Sequence, residues 1–247
     1  MTLRLPISLL CVFVLLHDTS ATTIVALRTP ASVLVGTDSK MTAGDGSAVA
    51  GQCKIATANG VYWAAANLKK DAEHNFDIYE IAAAVMRGPG SVSERIAELE
   101  KAVPPKLAEI LNDTPDDVFK EFHAGQPSID IVFAGLEDGV PYLHRRYFEA
   151  RITRKTGDPR KTVFVRTVRP KCSSDPGCLT AIGSNRTVEA ERARNPRMLR
   201  SMGAAQSIRH LIATEIAAFP ADVGPPIAVL EIDKAGSHWI SRGVCRW

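Results

Sequence analysis

Thr22 stands directly after a short segment that has the features of a secretory signal. If a signal peptidase cuts after Ala21, Thr22 becomes the first residue and carries a hydroxyl nucleophile together with a free α-amine. The ordinary pKa of an α-amine is near ~8, so it can accept the hydroxyl proton close to neutral pH, directly or through one water. A terminal threonine that combines nucleophile and base is a known device of covalent catalysis. The stretch from Thr22 to Lys54 is therefore the part of the chain that most strongly indicates chemistry.

The segment before Thr22 supports this cut. Arg4 gives a positive start, residues 5–16 form an apolar run of twelve, and residues 17–21 end in small side chains. This run is shorter than the ~18 residues that a membrane-spanning helix needs. We therefore predict a cleaved signal over residues 1–21 and a secreted or periplasmic protein, with an uncleaved anchor or a buried first strand as the alternatives. No other stretch of the sequence is predicted to cross a bilayer.

Composition predicts one globular domain, residues 22–247, after the signal. The 247 residues contain 45% hydrophobic and 23% charged side chains, which are the proportions of a folded soluble domain. Loss of residues 1–21 removes one basic and one acidic side chain, so the formal net charge stays at +3. This charge is too small to predict a nucleic-acid partner.

Four cysteines remain after removal of the signal: Cys53, Cys172, Cys178 and Cys245. An even number in an exported chain predicts disulfides, for which three pairings exist. We favour Cys172 with Cys178, because the five residues between them are turn-rich, and this leaves Cys53 with Cys245. A C-x5-C pair without histidines at ligand spacing is a poor zinc signature, so no metal site is predicted.

Hydrophobic periodicity predicts a group of strands, then two helices, a second group of strands, two more helices and a final group of strands. Turn signals at Asn59-Gly60 and at residues 137–139 join neighbouring strands through hairpin-length loops. A capping box at residues 91–94 opens the second helix, and Pro104-Pro105 are expected to break or kink it. This order favours an α+β fold, a four-layer αββα sandwich of two antiparallel sheets flanked by helices or a related α+β layering, over a doubly wound sheet.

Several segments together resemble the β-type subunits of the proteasome, which are members of the N-terminal nucleophile hydrolases. Residues 22–26 and 36–40 with Lys54 resemble the catalytic front of that family, and the spacing from threonine to aspartate to lysine is the same. Residues 132–143 resemble its central strand-turn-strand segment, and residues 181–184 resemble its glycine-serine turn ahead of the third helix. The resemblance covers nearly all of residues 22–247, although residues 144–178 are longer than is usual in the family.

The resemblance implies a catalytic set of Thr22, Asp38, Lys54 and Ser184. In the family, the lysine that matches Lys54 lies beside the threonine hydroxyl and is held charged by the aspartate that matches Asp38. Such a cation would stabilise the deprotonated oxygen and lower the pKa of the neighbouring amine, while the carboxylate limits the cost of burying the ammonium. Ser184 matches a serine that helps orient the α-amine and a nearby water. The alternatives are a surface lysine and an aspartate in a turn. For Ser184 the alternative is an N-cap of the following helix, a role that is compatible with the one in the family.

Two segments depart from the family pattern. Asn67 stands where the family has a glycine whose backbone N–H forms the oxyanion hole. Asparagine can present the same N–H and tolerates unusual backbone angles better than most residues, so Asn67 is the predicted oxyanion donor. Residues 220–226 stand where the family carries an aspartate and a serine ahead of a glycine pair, and Asp222 is the candidate stand-in.

The resemblance also implies a pocket for the substrate residue that precedes the cut bond. Its lining side chains, by position, are Met41, Gln52, Ala56, Ala65 and Lys69. Thr42 is predicted to hold the peptide backbone. The small side chains and the lysine predict a roomy pocket that accepts acidic or apolar groups.

The sequence therefore predicts an exported threonine-type hydrolase that cleaves amide bonds of a peptide or protein substrate without a cofactor. The alternatives are an amidohydrolase that acts on small amides such as acylated amino acids, and a catalytically silent relative that serves as an assembly or binding module. The sequence contains no Gly-x-Ser-x-Gly elbow, which argues against a Ser/His/Asp arrangement. Because proteasome-like folds often stack into rings, the resemblance leaves a homo-oligomer as a candidate assembly.

Overall fold

The computed structural model describes residues 22–42, 48–49, 51–154, 161–170 and 177–247, without the side chains of residues 41, 42, 48 and 49. The predicted signal, residues 1–21, lies outside the described residues. The strands are β1 (Thr23–Arg28), β2 (Ser32–Thr37), β3 (Met41–Thr42), β4 (Ala48–Val49), β5 (Ala56–Ala58), β6 (Val61–Asn67), β7 (Lys70–Asp71), β8 (Phe76–Asp77), β9 (Pro127–Glu137), β10 (Val140–Thr153), β11 (Thr162–Val168), β12 (Cys178–Gly183), β13 (Ala228–Asp233) and β14 (Gly236–Ser241). The helices are α1 (Ile78–Met86), α2 (Val92–Asp113), α3 (Asp116–Phe122), α4 (Arg186–Arg194), α5 (Met198–Met202) and α6 (Ala204–Ala218).

The first large sheet has five antiparallel strands in the order β12-β1-β2-β13-β14. Strands β1 and β2 form an antiparallel hairpin. In its turn, Thr29 Oγ1 accepts hydrogen bonds from the amides of Ala31 (3.2 Å) and Ser32 (2.9 Å), and bonds of this kind stabilise short turns. The hairpin places Thr22, which precedes β1, and Asp38, which follows β2, at the same end of the sheet.

The second large sheet has five antiparallel strands in the order β11-β10-β9-β6-β5. Asn59 and Gly60 join β5 to β6 with φ of 48° and 72°, and Asp138 and Gly139 join β9 to β10 with φ of 52° and 75°. Two successive residues with positive φ form a turn whose twist matches that of paired strands. Both turn predictions are confirmed.

Three apolar clusters hold the elements together. One has side chains from both large sheets, the second joins the second sheet to α1, α2 and α3, and the third joins the first sheet to α4, α5 and α6. Strand β6 serves two of them, because successive side chains of a strand point to opposite faces. Val61, Trp63 and Ala65 belong to the cluster with the helices, whereas Ala64 and Ala66 belong to the cluster shared by the sheets.

The α+β class is confirmed by the antiparallel sheets and by six helices among the described residues. Helices α3 and α5 were not predicted, because seven and five residues are too few to show a periodic apolar face. No helix in the described ranges is long and apolar enough to pass through a membrane.

Helix α2 begins with the predicted capping box, in which Ser91 Oγ accepts from the amide of Glu94 (3.2 Å) and the amide of Ser91 donates to Glu94 Oε2 (2.8 Å). Of the break or kink expected at Pro104-Pro105, the break does not occur, since the helix continues through both prolines. Each proline removes one backbone hydrogen bond of the helix. Buried side chains on both sides of the pair, at Val103 and Leu107, keep the two halves packed on the same core.

A disulfide joins Cys53 to Cys245, with Cα atoms 4.7 Å apart, and confirms this predicted pairing. Cys178 is also disulfide-bonded. Its predicted partner Cys172 lies outside the described residues, so that pairing stays a prediction. Because Cys53 directly precedes Lys54, the bridge fastens the C-terminal segment to one of the predicted catalytic residues.

Replacement of both bridged cysteines, as Cys53→Ala with Cys245→Ala, should lower the free energy of unfolding by about 2–5 kcal/mol, since the bridge closes a long loop. The two cysteines are 192 positions apart. Urea unfolding of the oxidised protein measures this difference. As a control, Thr57→Ala at an exposed position of β5 should change the value by less than ~0.5 kcal/mol. Equal unfolding midpoints for the double variant and the unaltered protein would contradict the expectation.

Candidate active site

Asp38 follows β2, and its carboxylate is completely buried. Oδ1 accepts hydrogen bonds from the amide of Thr23 (2.9 Å) and from the ammonium of Lys54 (2.8 Å). Oδ2 accepts from the amides of Lys40 (3.1 Å) and Gly224 (3.3 Å). A buried carboxylate requires a charged partner and hydrogen bonds to offset the loss of water, and Asp38 has both. The structure thus brings together Asp38 and Lys54, a pair that the resemblance implies.

The Lys54 side chain is as deeply buried as its partner, with 1% of its surface exposed. Burial lowers the pKa of Lys54 from its ordinary value, whereas the charge of Asp38 and the hydrogen bond to it act in the opposite direction. The main chain of Lys54 is held by Tyr79 of α1, whose hydroxyl donates to the Lys54 carbonyl (2.9 Å) and accepts from the amide of Ala65 (3.1 Å). The alternative of a surface lysine is therefore wrong for Lys54.

Thr22 directly precedes β1 and is 1% exposed in the 247-residue chain. Its carbonyl accepts a hydrogen bond from the amide of Ser184 (2.8 Å), and the hydroxyl of Thr23 donates to the carbonyl of Ser184 (2.8 Å). Gly183 has φ of 77°, and a Cβ at this position would lie 1.8 Å from the carbonyl oxygen of Thr22. Only glycine fits here. The Gly183-Ser184 turn therefore fixes the position of Thr22.

Lys69 lies between β6 and β7, and its ammonium is 3.4 Å from Thr22 Oγ1. The residue is buried, with 8% of its surface exposed. The resemblance assigned Lys69 to the wall of the substrate pocket, but the structure also places its charge against the predicted nucleophile. The resemblance did not indicate this contact, which joins residues 47 positions apart.

Ser184 is oriented by Glu215 of α6, which accepts a hydrogen bond from the Ser184 hydroxyl at Oε1 (2.6 Å). Glu215 is completely buried, and Oε2 accepts from the amide (2.9 Å) and the hydroxyl of Thr187 and from the amide of Val188 (3.4 Å). The carboxylate thus caps α4, whose N-cap residue, Asn185, makes no side-chain capping bond. The alternative of Ser184 as N-cap is wrong. Glu215 was missed because a single acidic residue on a helix face carries no spacing signal.

Asn67 is the last residue of β6 and has φ of 71°. Asparagine adopts this left-handed conformation more readily than most residues. Its side-chain amide donates to the carbonyl of Pro127 (2.9 Å), which ties the end of β6 to β9. The backbone geometry at Asn67 is of the kind that the oxyanion prediction invokes, and the role of its N–H stays a prediction.

The other predicted substrate residues do not lie in one environment. Gln52 is exposed, whereas Ala65 is completely buried and Ala56 partly buried in the cluster shared by the second sheet and its helices. Met41 and Thr42 form β3, which pairs with β4, and their side chains lie outside the described part of the structure. The pocket stays a prediction.

The segment 220–226, which departs from the family pattern, lies beside Asp38. It contributes the amide of Gly224 to Asp38 Oδ2, and two of its carbonyls accept from the Lys40 ammonium at 2.6 and 2.5 Å. Asp222, the candidate stand-in, is exposed. The contact of this segment with Asp38 therefore comes from a backbone amide.

The loop that follows Lys69 is tied to the end of α2 through His74. Nδ1 of His74 lies 2.9 Å from Asp71 Oδ1, and Nε2 lies 3.1 Å from Asp113 Oδ2. The hydrogen bonds to Asp113 and Asp71 raise the pKa of His74 above its ordinary value. Protonation of His74 therefore strengthens the connection between this loop and α2.

The His74 contribution to stability should depend on pH. A histidine with a raised pKa in the folded state stabilises the fold fully below its unfolded pKa of ~6.5, and this contribution is lost as pH rises through the folded pKa. His74→Gln should therefore lower the Tm more at about pH 6 than at about pH 9. Thermal unfolding of both proteins across this range measures the difference. A Tm loss that is the same at both pH values would contradict the expectation.

Charged side chains lie at Thr22 and at the amide of the residue that follows it. Thr22 Oγ1 lies against one buried ammonium, Lys69, while a second, Lys54, and the amide of Thr23 share one oxygen of Asp38. Within the described ranges, no group of three or more His, Cys, Asp or Glu side chains is placed to hold a metal ion. No protein-family model matches the chain, and comparison with curated proteins finds no match.

Proposed function

We propose that the chain is an exported threonine-type N-terminal nucleophile hydrolase that cleaves amide bonds of peptides through Thr22 after removal of residues 1–21. The observation that carries this proposal is the buried pair of Asp38 and Lys54, whose shared carboxylate oxygen also binds the amide of Thr23. Replacement of a buried ion pair by apolar residues is often neutral or stabilising, so such a pair is weak evidence for a purely structural role. The pair lies beside Thr23, the residue that follows Thr22, and this position favours a catalytic role.

In the proposed reaction, the α-amine of the processed Thr22 accepts the proton of Oγ1 as Oγ1 attacks the carbonyl carbon of the substrate amide. The charge of Lys54, maintained by Asp38, favours the deprotonated oxygen and keeps the amine neutral by repulsion. The backbone N–H of Asn67 is the proposed donor to the oxyanion. The proton then passes from the α-amine to the departing nitrogen, the C–N bond breaks, and water hydrolyses the ester left on Thr22.

Two features of the chain support the proposed fold and compartment. The three apolar clusters, one shared by the sheets and two between a sheet and helices, suit the proposed four-layer αββα sandwich of proteasome β-type subunits. The bridge between Cys53 and Cys245 suits a secreted or periplasmic protein, because disulfides persist in oxidising compartments.

Intact-mass measurement of the full chain, expressed in a host that exports it, tests the proposal. We expect a mature mass that begins at Thr22 and a single acyl adduct after treatment with a β-lactone. A chain that begins at Thr23, or that still begins at Met1, would contradict the proposal because it has no terminal hydroxyl and amine at Thr22.

Hydrolysis assays separate the proposed activity from its alternatives. A fluorogenic peptide library and a set of N-acylated amino acids are offered to the same mature protein. Cleavage of the peptides supports a peptidase, and cleavage of the small amides alone supports the amidohydrolase. A mature chain that cleaves neither set and takes up no β-lactone would support the silent binding module.

A further inference from the structure

The proposed active site contains a second buried cation, Lys69, that the proposed mechanism does not use. Its ammonium is 3.4 Å from Thr22 Oγ1, and the residue is 8% exposed. The next residue, Lys70, has a side chain that is 61% exposed and pairs with Asp77 at 3.7 Å. Two consecutive lysines therefore occupy opposite environments, and only the first faces the nucleophile.

We propose that Lys69 is a catalytic residue, whose ammonium stabilises the negative charge that develops on Thr22 Oγ1 when this oxygen loses its proton and attacks. This inference rests on the proposed function, since it assigns a role at the same nucleophile. A buried cation this close to an oxygen acts through a medium that screens charge far less than water does. It lowers the free energy of the charged oxygen more than that of the neutral hydroxyl, which is the requirement for acceleration.

The two buried lysines make different contacts and therefore have different proposed roles. Lys54 bonds Asp38 Oδ1, which it shares with the amide of Thr23, so this lysine is anchored to the start of β1. Lys69 bonds the reacting oxygen itself. It approaches from the turn after β6, next to Asn67, where the oxyanion donor is proposed.

In the attack step, the Oγ1 proton passes to the α-amine of Thr22 while the bond between Oγ1 and the carbonyl carbon forms, and the carbonyl π electrons move to the carbonyl oxygen. Lys69 keeps all its protons and acts through its charge. The step therefore balances with the groups of Thr22 and the substrate alone. Removal of the charge should slow bond formation more than it weakens reversible binding.

The test compares Lys69→Met, Lys69→Arg and Lys70→Met in the mature chain, with a β-lactone as the probe and intact mass as the readout. Titration of the probe separates kinact, the rate of bond formation, from KI, which reports reversible binding. We expect kinact of Lys69→Met to fall on the order of 10²–10³-fold, by analogy with the cost of removing one hydrogen-bond donor to the substrate oxyanion in acyl transfer. KI should stay within about threefold, because the charge acts in the transition state.

The control Lys70→Met should react at the rate of the unaltered protein. The kinact of Lys69→Arg should be at least tenfold higher than that of Lys69→Met, because arginine retains a cation. Thermal unfolding identifies any variant that does not fold. If Lys69→Met does not fold, Lys69→Gln, which keeps polarity without charge, takes its place against Lys69→Arg. A charge-free variant that folds and reacts at the unaltered rate overturns the role of Lys69 and leaves the proposed function intact. An unaltered mature chain that takes up no probe overturns both.

Discussion

Mature protein that carries Thr22→Ala should lose amide hydrolysis and β-lactone uptake almost completely. Removal of the nucleophile from a hydrolase that forms a covalent intermediate costs on the order of 10⁴-fold or more in rate, because the ester on that residue no longer forms. The folded state should change little by comparison, since the hydroxyl removed is a single group at the start of β1. Progress curves with a fluorogenic peptide and intact mass after β-lactone treatment measure the two losses.

Two variants make this result specific. Thr22→Ser keeps both the hydroxyl and the terminal amine, so its rate should stay within about tenfold of the unaltered protein. Thr57→Ala removes the hydroxyl of a solvent-exposed threonine on β5 and should leave the rate unchanged. Hydrolysis by Thr22→Ala at the rate of the Thr57→Ala control would contradict the assignment of the nucleophile.

The second large effect is expected from the pair of Asp38 and Lys54. In the proposed mechanism, the charge of Lys54 favours the deprotonated threonine oxygen, so we expect Lys54→Met to lower kcat on the order of 10²–10³-fold. Each single replacement, Lys54→Met or Asp38→Asn, should also lower the free energy of unfolding by about 3–5 kcal/mol, because it leaves one buried charge without its partner. Peptide hydrolysis and urea unfolding measure the two effects.

A double-mutant cycle distinguishes catalysis from stability at this pair. Asp38→Asn combined with Lys54→Met leaves no buried charge, so it should be less destabilised than the sum of the single variants, while its activity stays low. Lys101→Met serves as a surface control, because Lys101 pairs with Glu98 at 2.7 Å with both side chains mostly exposed. This replacement should cost about 1 kcal/mol or less. A double variant with restored activity would contradict the catalytic role of the pair.

The parts of the fold that follow from local sequence were predicted well. Asn59-Gly60 and the turn at Asp138-Gly139 need positive φ, which few residue types accept, so their sequence signals are strong. The capping box at the start of α2 depends on two residues three positions apart. Of the break or kink expected at Pro104-Pro105, the break is absent, because burial of the helix face against the second sheet is a tertiary effect that outweighs local preference.

The same distinction between local sequence signals and tertiary contacts applies to the residues of the candidate site. Thr22, Asp38 and Lys54 could be found because their spacing resembles a known pattern, and β1 and β2 form a hairpin that brings Thr22 and Asp38 together. Lys69 and Glu215 could not be assigned their contacts from sequence. Glu215 reaches Ser184 from α6, and Lys69 reaches Thr22 from the turn after β6, so both contacts exist only after the sheets and helices have packed.

The central claim is that one residue, Thr22, supplies both an attacking hydroxyl and a free amine. A peptide epoxyketone tests it most directly, since this probe forms a stable ring only with a hydroxyl and an amine on the same terminal residue. The structure of the mature protein after treatment should show two covalent bonds to the probe, one from Oγ1 and one from the α-nitrogen of Thr22, with Lys54 still paired to Asp38. A probe attached to any other residue, or an unmodified Thr22 in a fully processed chain, would contradict the claim.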